Sequence, residues 1–108
     1  MCDSWFMDLD LENLKEQIVA LVHPRKIILF GSRANGTAND QSDYDILILM
    51  QNGTNKRAIA QFLYQNIENV DKPYDFIVAT EETIEKYSNF PHLVYFYALK
   101  DGIELYAS

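Results

Sequence analysis

Asp43 and Asp45, separated by one tyrosine, are the residues of this chain best placed to do chemistry. They stand at the mouth of the apolar run Ile46-Leu47-Ile48-Leu49-Met50, which reads as a buried strand. Side chains alternate faces along a strand, so both carboxylates project from one side, with Cα atoms roughly 6 to 7 Å apart. Carboxylates so spaced can share hard divalent cations, which take oxygen ligands and keep some of their waters. A third acid, Asp75, opens another apolar run, Phe76-Ile77-Val78-Ala79. If its strand lies beside that of Asp45, three carboxylates converge on one edge of a sheet, and a dication relieves their repulsion.

Upstream, Gly31-Ser32 follows the apolar stretch Ile27-Ile28-Leu29-Phe30 and precedes Asp43 by ten residues. The glycine breaks a buried strand. Backbone N–H groups at such a turn, together with the Ser32 hydroxyl, suit the phosphates of a nucleotide. Alone, Gly31 would be an ordinary turn glycine and Ser32 an ordinary helix cap; their position above the acidic pair favours phosphate binding. Arg33 reads either as a further phosphate contact or as a solvated loop arginine, and Asp40 as a turn residue.

Gly31-Ser32, the ten-residue interval, Asp43-X-Asp45 and the strand-borne Asp75 resemble the signature of the DNA polymerase beta-type nucleotidyltransferase superfamily, over Ile27 to Ala79. The short length resembles its minimal nucleotidyltransferases (MNT), which are similar to the antitoxin halves of toxin-antitoxin pairs whose toxin is a HEPN-domain ribonuclease. The resemblance implies the polymerase beta-like fold and a metal-dependent transfer of a nucleoside monophosphate, AMP from ATP foremost, to an acceptor hydroxyl. It implies that Gly31, Ser32 and Arg33 bind the nucleotide and that Asp43, Asp45 and Asp75 hold two Mg²⁺ ions, or Mn²⁺ in their place. Asp75 would also accept the acceptor's proton. In the toxin-antitoxin relatives the acceptor is a tyrosine of the HEPN toxin. Many relatives carry a second basic residue where this chain has Asn35, so no phosphate contact is expected there. Two other readings stand beside this one: a non-catalytic module that neutralises a toxin by occlusion, and a small-molecule transferase of the antibiotic-modifying type that needs a second subunit. Three mutually repelling acids argue against a vestigial site.

Composition narrows the field. A chain of 108 residues, 48% hydrophobic, is expected to form one α/β (α+β) domain over 1–108, a small mixed sheet with helices packed on it. The acceptor is then expected from a separate protein, a homo-oligomeric partner or solution, because larger relatives bring it on an additional domain. The net charge of −7, from nine basic and sixteen acidic residues, disfavours direct nucleic-acid binding. Two dications would still leave about −3. Cys2 is the only cysteine, which excludes a disulfide framework and a zinc cluster. No apolar stretch approaches the ~20 residues of a membrane span, and Met1-Cys2-Asp3-Ser4 lacks the basic start of a secretory signal, so no membrane association and a cytoplasmic location are expected.

The elements that must position these residues are legible as periodicities. Leu11, Leu14, Ile18 and Leu21 or Val22 predict a helix from Asp10, as N-cap, to Val22, stopped by Pro24. Strands are predicted at Lys26–Phe30, about Tyr44–Met50 and Tyr74–Ala79. Between the last two, Thr54 is the expected cap of a helix with Ile59, Leu63, Ile67 and Val70 on its apolar side, ended by Asp71-Lys72-Pro73. A helix between two strands argues for parallel pairing and a right-handed crossover. Thr80 is expected to cap a short helix. Pro91–Lys100 is expected to form another, Gly102 to stop it, and Ile103–Tyr106 to form an edge strand. His23 at a helix end and His92 at a helix start read as structural, and the aromatic stretch from Phe90 to Tyr97 as core more than interface.

Overall fold

A computed structural model describes residues 9–31, 43–70, 73–87 and 102–108. Ser32, Arg33, Asn35, Asp40, Cys2, His92 and the expected helix and aromatic stretch over 90–100 lie outside the described residues. Helix α1 spans Leu9–Val22, strand β1 Lys26–Phe30 and strand β2 Tyr44–Met50. Helix α2 follows at Lys56–Asn66, then strand β3 at Tyr74–Thr80, helix α3 at Glu81–Tyr87 and strand β4 at Ile103–Ala107.

The four strands form one mixed sheet in the order β3-β2-β1-β4. β1 pairs antiparallel with both β2 and β4, the latter with a register shift between Ile27 and Ile28. β2 and β3, joined through α2, pair in parallel, as a strand-helix-strand unit requires. This is the expected α+β sheet with helices packed on it.

Alternation along the strands makes two unequal faces. Ile27, Leu29, Tyr44, Ile46, Ile48, Phe76 and Val78 join Leu14 and Ile18 of α1 and Leu63 of α2 in the main core. Each such side chain contributes about 1.5 to 3 kcal/mol by leaving water. The opposite face carries a smaller cluster, Ile28, Phe30, Leu47 and Ala79, with Ile77 and Ile84 of α3 packed against it. Asp45 and Asp75 share the parity of Leu47 and Ile77, so they belong to this second face.

Three helix boundaries differ from the sequence expectation. α1 begins at Leu9, which puts Asp10 in the first turn, where its charge suits the helix dipole, and not at the cap. α2 is capped by Asn55, whose Oδ1 accepts from Ala58 N–H at 3.1 Å; Thr54 instead donates its hydroxyl to the Gln51 carbonyl at 2.6 Å. α2 also ends earlier than expected, at Asn66, with Ile67 already extended (ψ 133°) and its N–H on the Leu63 carbonyl. Ile67 and Val70 still pack on the main core, but from outside the helix. α1 stops as expected: His23 adopts φ 49° ahead of Pro24, and its N–H reaches the Val19 carbonyl at 3.1 Å. Thr80 closes β3 and its Oγ1 accepts from Thr83 N–H, at 3.3 Å, at the start of α3. β4 is an edge strand, one residue longer than expected.

Candidate active site

Asp45 and Asp75 are register partners across the parallel β2–β3 pair. Neighbouring strands lie about 4.8 Å apart, so two carboxylates in register on one face are near neighbours. The strand entrances are tied together directly, because Tyr44 N–H donates to the Pro73 carbonyl at 3.0 Å. Tyr44 anchors this corner from the other side, fully buried in the main core. Asp43 sits immediately before β2 and is exposed. The structure therefore gathers Asp43, Asp45 and Asp75 at one end of the sheet, while Ser32 and Arg33 lie outside the described residues.

Electrostatics reflect the crowding. Asp45 holds its proton more tightly than an ordinary carboxyl, first because it is partly buried and then because Asp75 and Asp43 repel its charge. Gly31 closes the corner. β1 ends at Phe30, the register partner of Asp45, and Gly31 then turns away with φ +78°. A Cβ at this position would collide with Asp45 Oδ2 and stand 3.2 Å from Asp45 Cγ. Only a residue without a side chain leaves that carboxylate its place.

The donor set can be compared with what a cation needs. Among the described residues no three His, Cys, Asp or Glu side chains form a ready-made cage for an ion. Mg²⁺ seldom asks for one: it is commonly held by one or two carboxylates, with substrate phosphates and waters completing the shell. Adjacent acids, one of them partly desolvated and repelled by the others, fit an ion that arrives with a triphosphate.

A residue without a sequence signal also belongs to this corner. Tyr64, on α2, accepts a hydrogen bond from Phe76 N–H at 2.9 Å. Its pKa is raised, by desolvation first, with the nearby Asp75 charge a further cause. The ring lies parallel to Tyr74, at 6.1 Å and 10°, and tilted against Phe76, at 4.9 Å. Nothing in the periodicity of α2 marks Tyr64, which stands half exposed beside the apolar stripe. The available signal was topological: an edge strand has outward-facing N–H groups that need a partner.

A cleft of about 400 Å³ opens between Thr54, Lys56, Thr80 and Thr83. Its Thr80 wall lies five residues along β3 from Asp75, or about 17 Å at strand rise, so this cleft is separate from the acids.

The nucleotidyltransferase-domain family model matches residues 11–104, which spans every element from α1 into β4. The chain belongs to the nucleotidyltransferase-domain family. Two solved structures share its fold. One is a Sulfolobus solfataricus protein assigned as a nucleotidyltransferase, with 21% identity and TM-score 0.62, covering 91% of this chain and 78% of that one. The other is a toxin-antitoxin structure determined with AMP-PNP, with 20% identity and TM-score 0.57, covering 90% of this chain and 73% of that one. A comparison with curated proteins gives no match. Within this nucleotidyltransferase domain, no described helix is long and apolar enough to cross a membrane.

Proposed function

We propose that this nucleotidyltransferase domain transfers a nucleoside monophosphate, AMP from ATP, to a hydroxyl of a partner protein and acts as an antitoxin. The observation that carries the chemistry is the juxtaposition of Asp45 and Asp75 in register, with Gly31 yielding its side-chain space to Asp45. The likeness to a toxin-antitoxin structure with AMP-PNP supports a nucleotide donor and a protein partner. The partner proposed is a HEPN-type toxin with a tyrosine acceptor, and the setting the cytoplasm.

Asp43, Asp45 and Asp75 would hold one or two Mg²⁺ ions. When bound, these supply charge neutralisation for the leaving pyrophosphate and lower the pKa of the acceptor hydroxyl. Ser32 and the backbone amides after Gly31 bind the terminal phosphates and hold the donor in line. Asp75 takes the proton of the acceptor hydroxyl as its oxygen attacks the α-phosphorus. The new phosphodiester bond forms, the bond to the β-phosphate oxygen breaks, and pyrophosphate leaves with that electron pair.

The test uses α-labelled ATP, Mg²⁺ and the protein that co-purifies with this chain. Label is expected on the partner, resistant to denaturation, and absent when EDTA is added. Stoichiometric binding of the partner without label transfer in Mg²⁺ would overturn the catalytic reading and leave neutralisation by occlusion.

A further inference from the structure

We propose that Phe30 is a positioning residue for Asp45, and this rests on the nucleotidyl-transfer reading of the acids. On the second face of the sheet three residues stand side by side across three strands: Asp75 on β3, Asp45 on β2 and Phe30 on β1, in register at each step. Directly opposed residues of an antiparallel pair share a face, with Cβ atoms about 4.5 to 5.5 Å apart. Asp45 therefore has a carboxylate on one flank and an aromatic ring on the other.

The ring limits where the Asp45 charge can go. Phe30 is buried and forms one apolar cluster with Ile28, Leu47 and Ala79. Leu47 stands two residues after Asp45 on the same strand and the same face. Phe30 and Leu47 thus close the side of Asp45 that faces into the cluster, where a carboxylate would lose water without gaining a partner. The side beyond Phe30 is open for the opposite reason, because Asp45 Oδ2 fills the space in which a Gly31 Cβ would stand. Two consecutive residues therefore act in opposite senses: Phe30 bars the carboxylate from the cluster and Gly31 receives it. The charge is aimed at the end of the sheet, where Asp43 precedes β2. Core filling does not account for the pairing. The other buried residues of β1 face apolar partners, Ile27 with Ile48, Ile28 with Leu47 and Leu29 with Ile46, and Phe30 alone faces an acid. A ligand side chain already held in its binding orientation gives up less freedom when the ion arrives, and its apolar surroundings set how water reaches it.

Phe30→Val keeps an apolar strand residue and removes the reach of the ring, while Ile28→Ala opens the same cluster beside Leu47 and serves as the control. In the metal-free, nucleotide-free chain, the ¹³C resonance of the Asp45 carboxylate and its χ1 couplings are expected to move in Phe30→Val and to stay in Ile28→Ala. No movement in Phe30→Val, or equal movement in both, overturns the proposal. The wild-type chain gives a measurement that needs no variant to fold: nuclear Overhauser contacts between the Phe30 ring protons and Asp45 Hβ are expected, and their absence overturns the proposal. Binding of Mn²⁺-ATP, followed by the Mn²⁺ EPR signal, is expected to weaken roughly 10- to 100-fold in Phe30→Val, the usual range for a residue that orients a metal ligand, and by less than about twofold in Ile28→Ala. Equal weakening in the two would show a cluster effect only, and overturn the proposal. Absence of Mn²⁺-ATP binding in the wild-type chain would instead strike the nucleotidyl-transfer reading, while the Asp45 resonance and the ring contacts still decide the role of Phe30.

Discussion

Gly31 and Asp45 compete for one volume: the Cβ that Gly31 lacks would run into Asp45 Oδ2, and its backbone stands at φ +78°. Two independent demands, a left-handed turn and clearance for a carboxylate, fall on the same residue. Gly53 offers the internal comparison, with φ +88° and nothing within 4 Å of its notional Cβ.

Gly31→Ala and Gly53→Ala should therefore share a backbone penalty of about 1 to 2 kcal/mol in stability. Only Gly31→Ala should also displace Asp45 and weaken Mg²⁺-dependent ATP binding. Thermal unfolding and calorimetry on both variants check this. Equal ATP affinities in the two would show that clearance at Asp45 is irrelevant to the ligand.

Asp75→Asn is expected to lower the transfer rate far more than it weakens ATP binding. Asp43 and Asp45 remain to meet the metal-bound triphosphate, while the acceptor loses the group that takes its proton. Single-turnover label transfer and ATP affinity on one preparation give the comparison. A near-wild-type rate would remove Asp75 from the mechanism.

The metal-free protein should be stabilised by Asp45→Asn near neutral pH. Asp45 has a native pKa raised above 3.8, so its contribution to stability is fully present below 3.8 and is lost as pH rises through the native value. The advantage of the asparagine variant should accordingly be greatest above that native pKa and shrink toward pH 3.8. Melting temperatures measured in EDTA across this range are the test, and a gap that widens on acidification would contradict it.

Ser32→Ala should weaken triphosphate binding and leave the metal ligands intact. One hydroxyl contact to a charged group contributes on the order of 1.5 to 3 kcal/mol. Unchanged affinity for ATP in calorimetry would reduce Ser32 to a turn residue.

Strand positions and the acid spacing were legible in the sequence because both rest on period-two patterning and on turn residues. β1 and β2 fall where Lys26–Phe30 and Tyr44–Met50 were read, and the parallel β2–β3 pair follows from the helix between them. Helix ends were less legible. Thr54 and Asn55 are both good caps, and only the backbone path after Gly53 decides that Asn55 faces the free N–H groups while Thr54 turns back to Gln51. Ile67 and Val70 continue an apolar rhythm that the core uses after the helix has ended, so periodicity alone overran the boundary. Tyr64 was invisible for a different reason. Its partner, the Phe76 N–H, is defined by sheet order, and sheet order is a tertiary property.

The position of β3 at the rim of the sheet has a dynamic consequence. A rim strand can peel from β2 while the β1–β2 pair stays zipped, and in such an opening Asp75 leaves with it. A ligand that bridges Asp45 and Asp75 binds the zipped state alone and raises the free energy of peeling, by about 2.7 kcal/mol at a hundredfold excess over its dissociation constant. Amide hydrogen exchange along Tyr74–Thr80 would then slow when the site fills, with the β1–β2 amides little changed. The rim strand is thus a built-in occupancy gauge: its exchange rate counts how often the two acids are together.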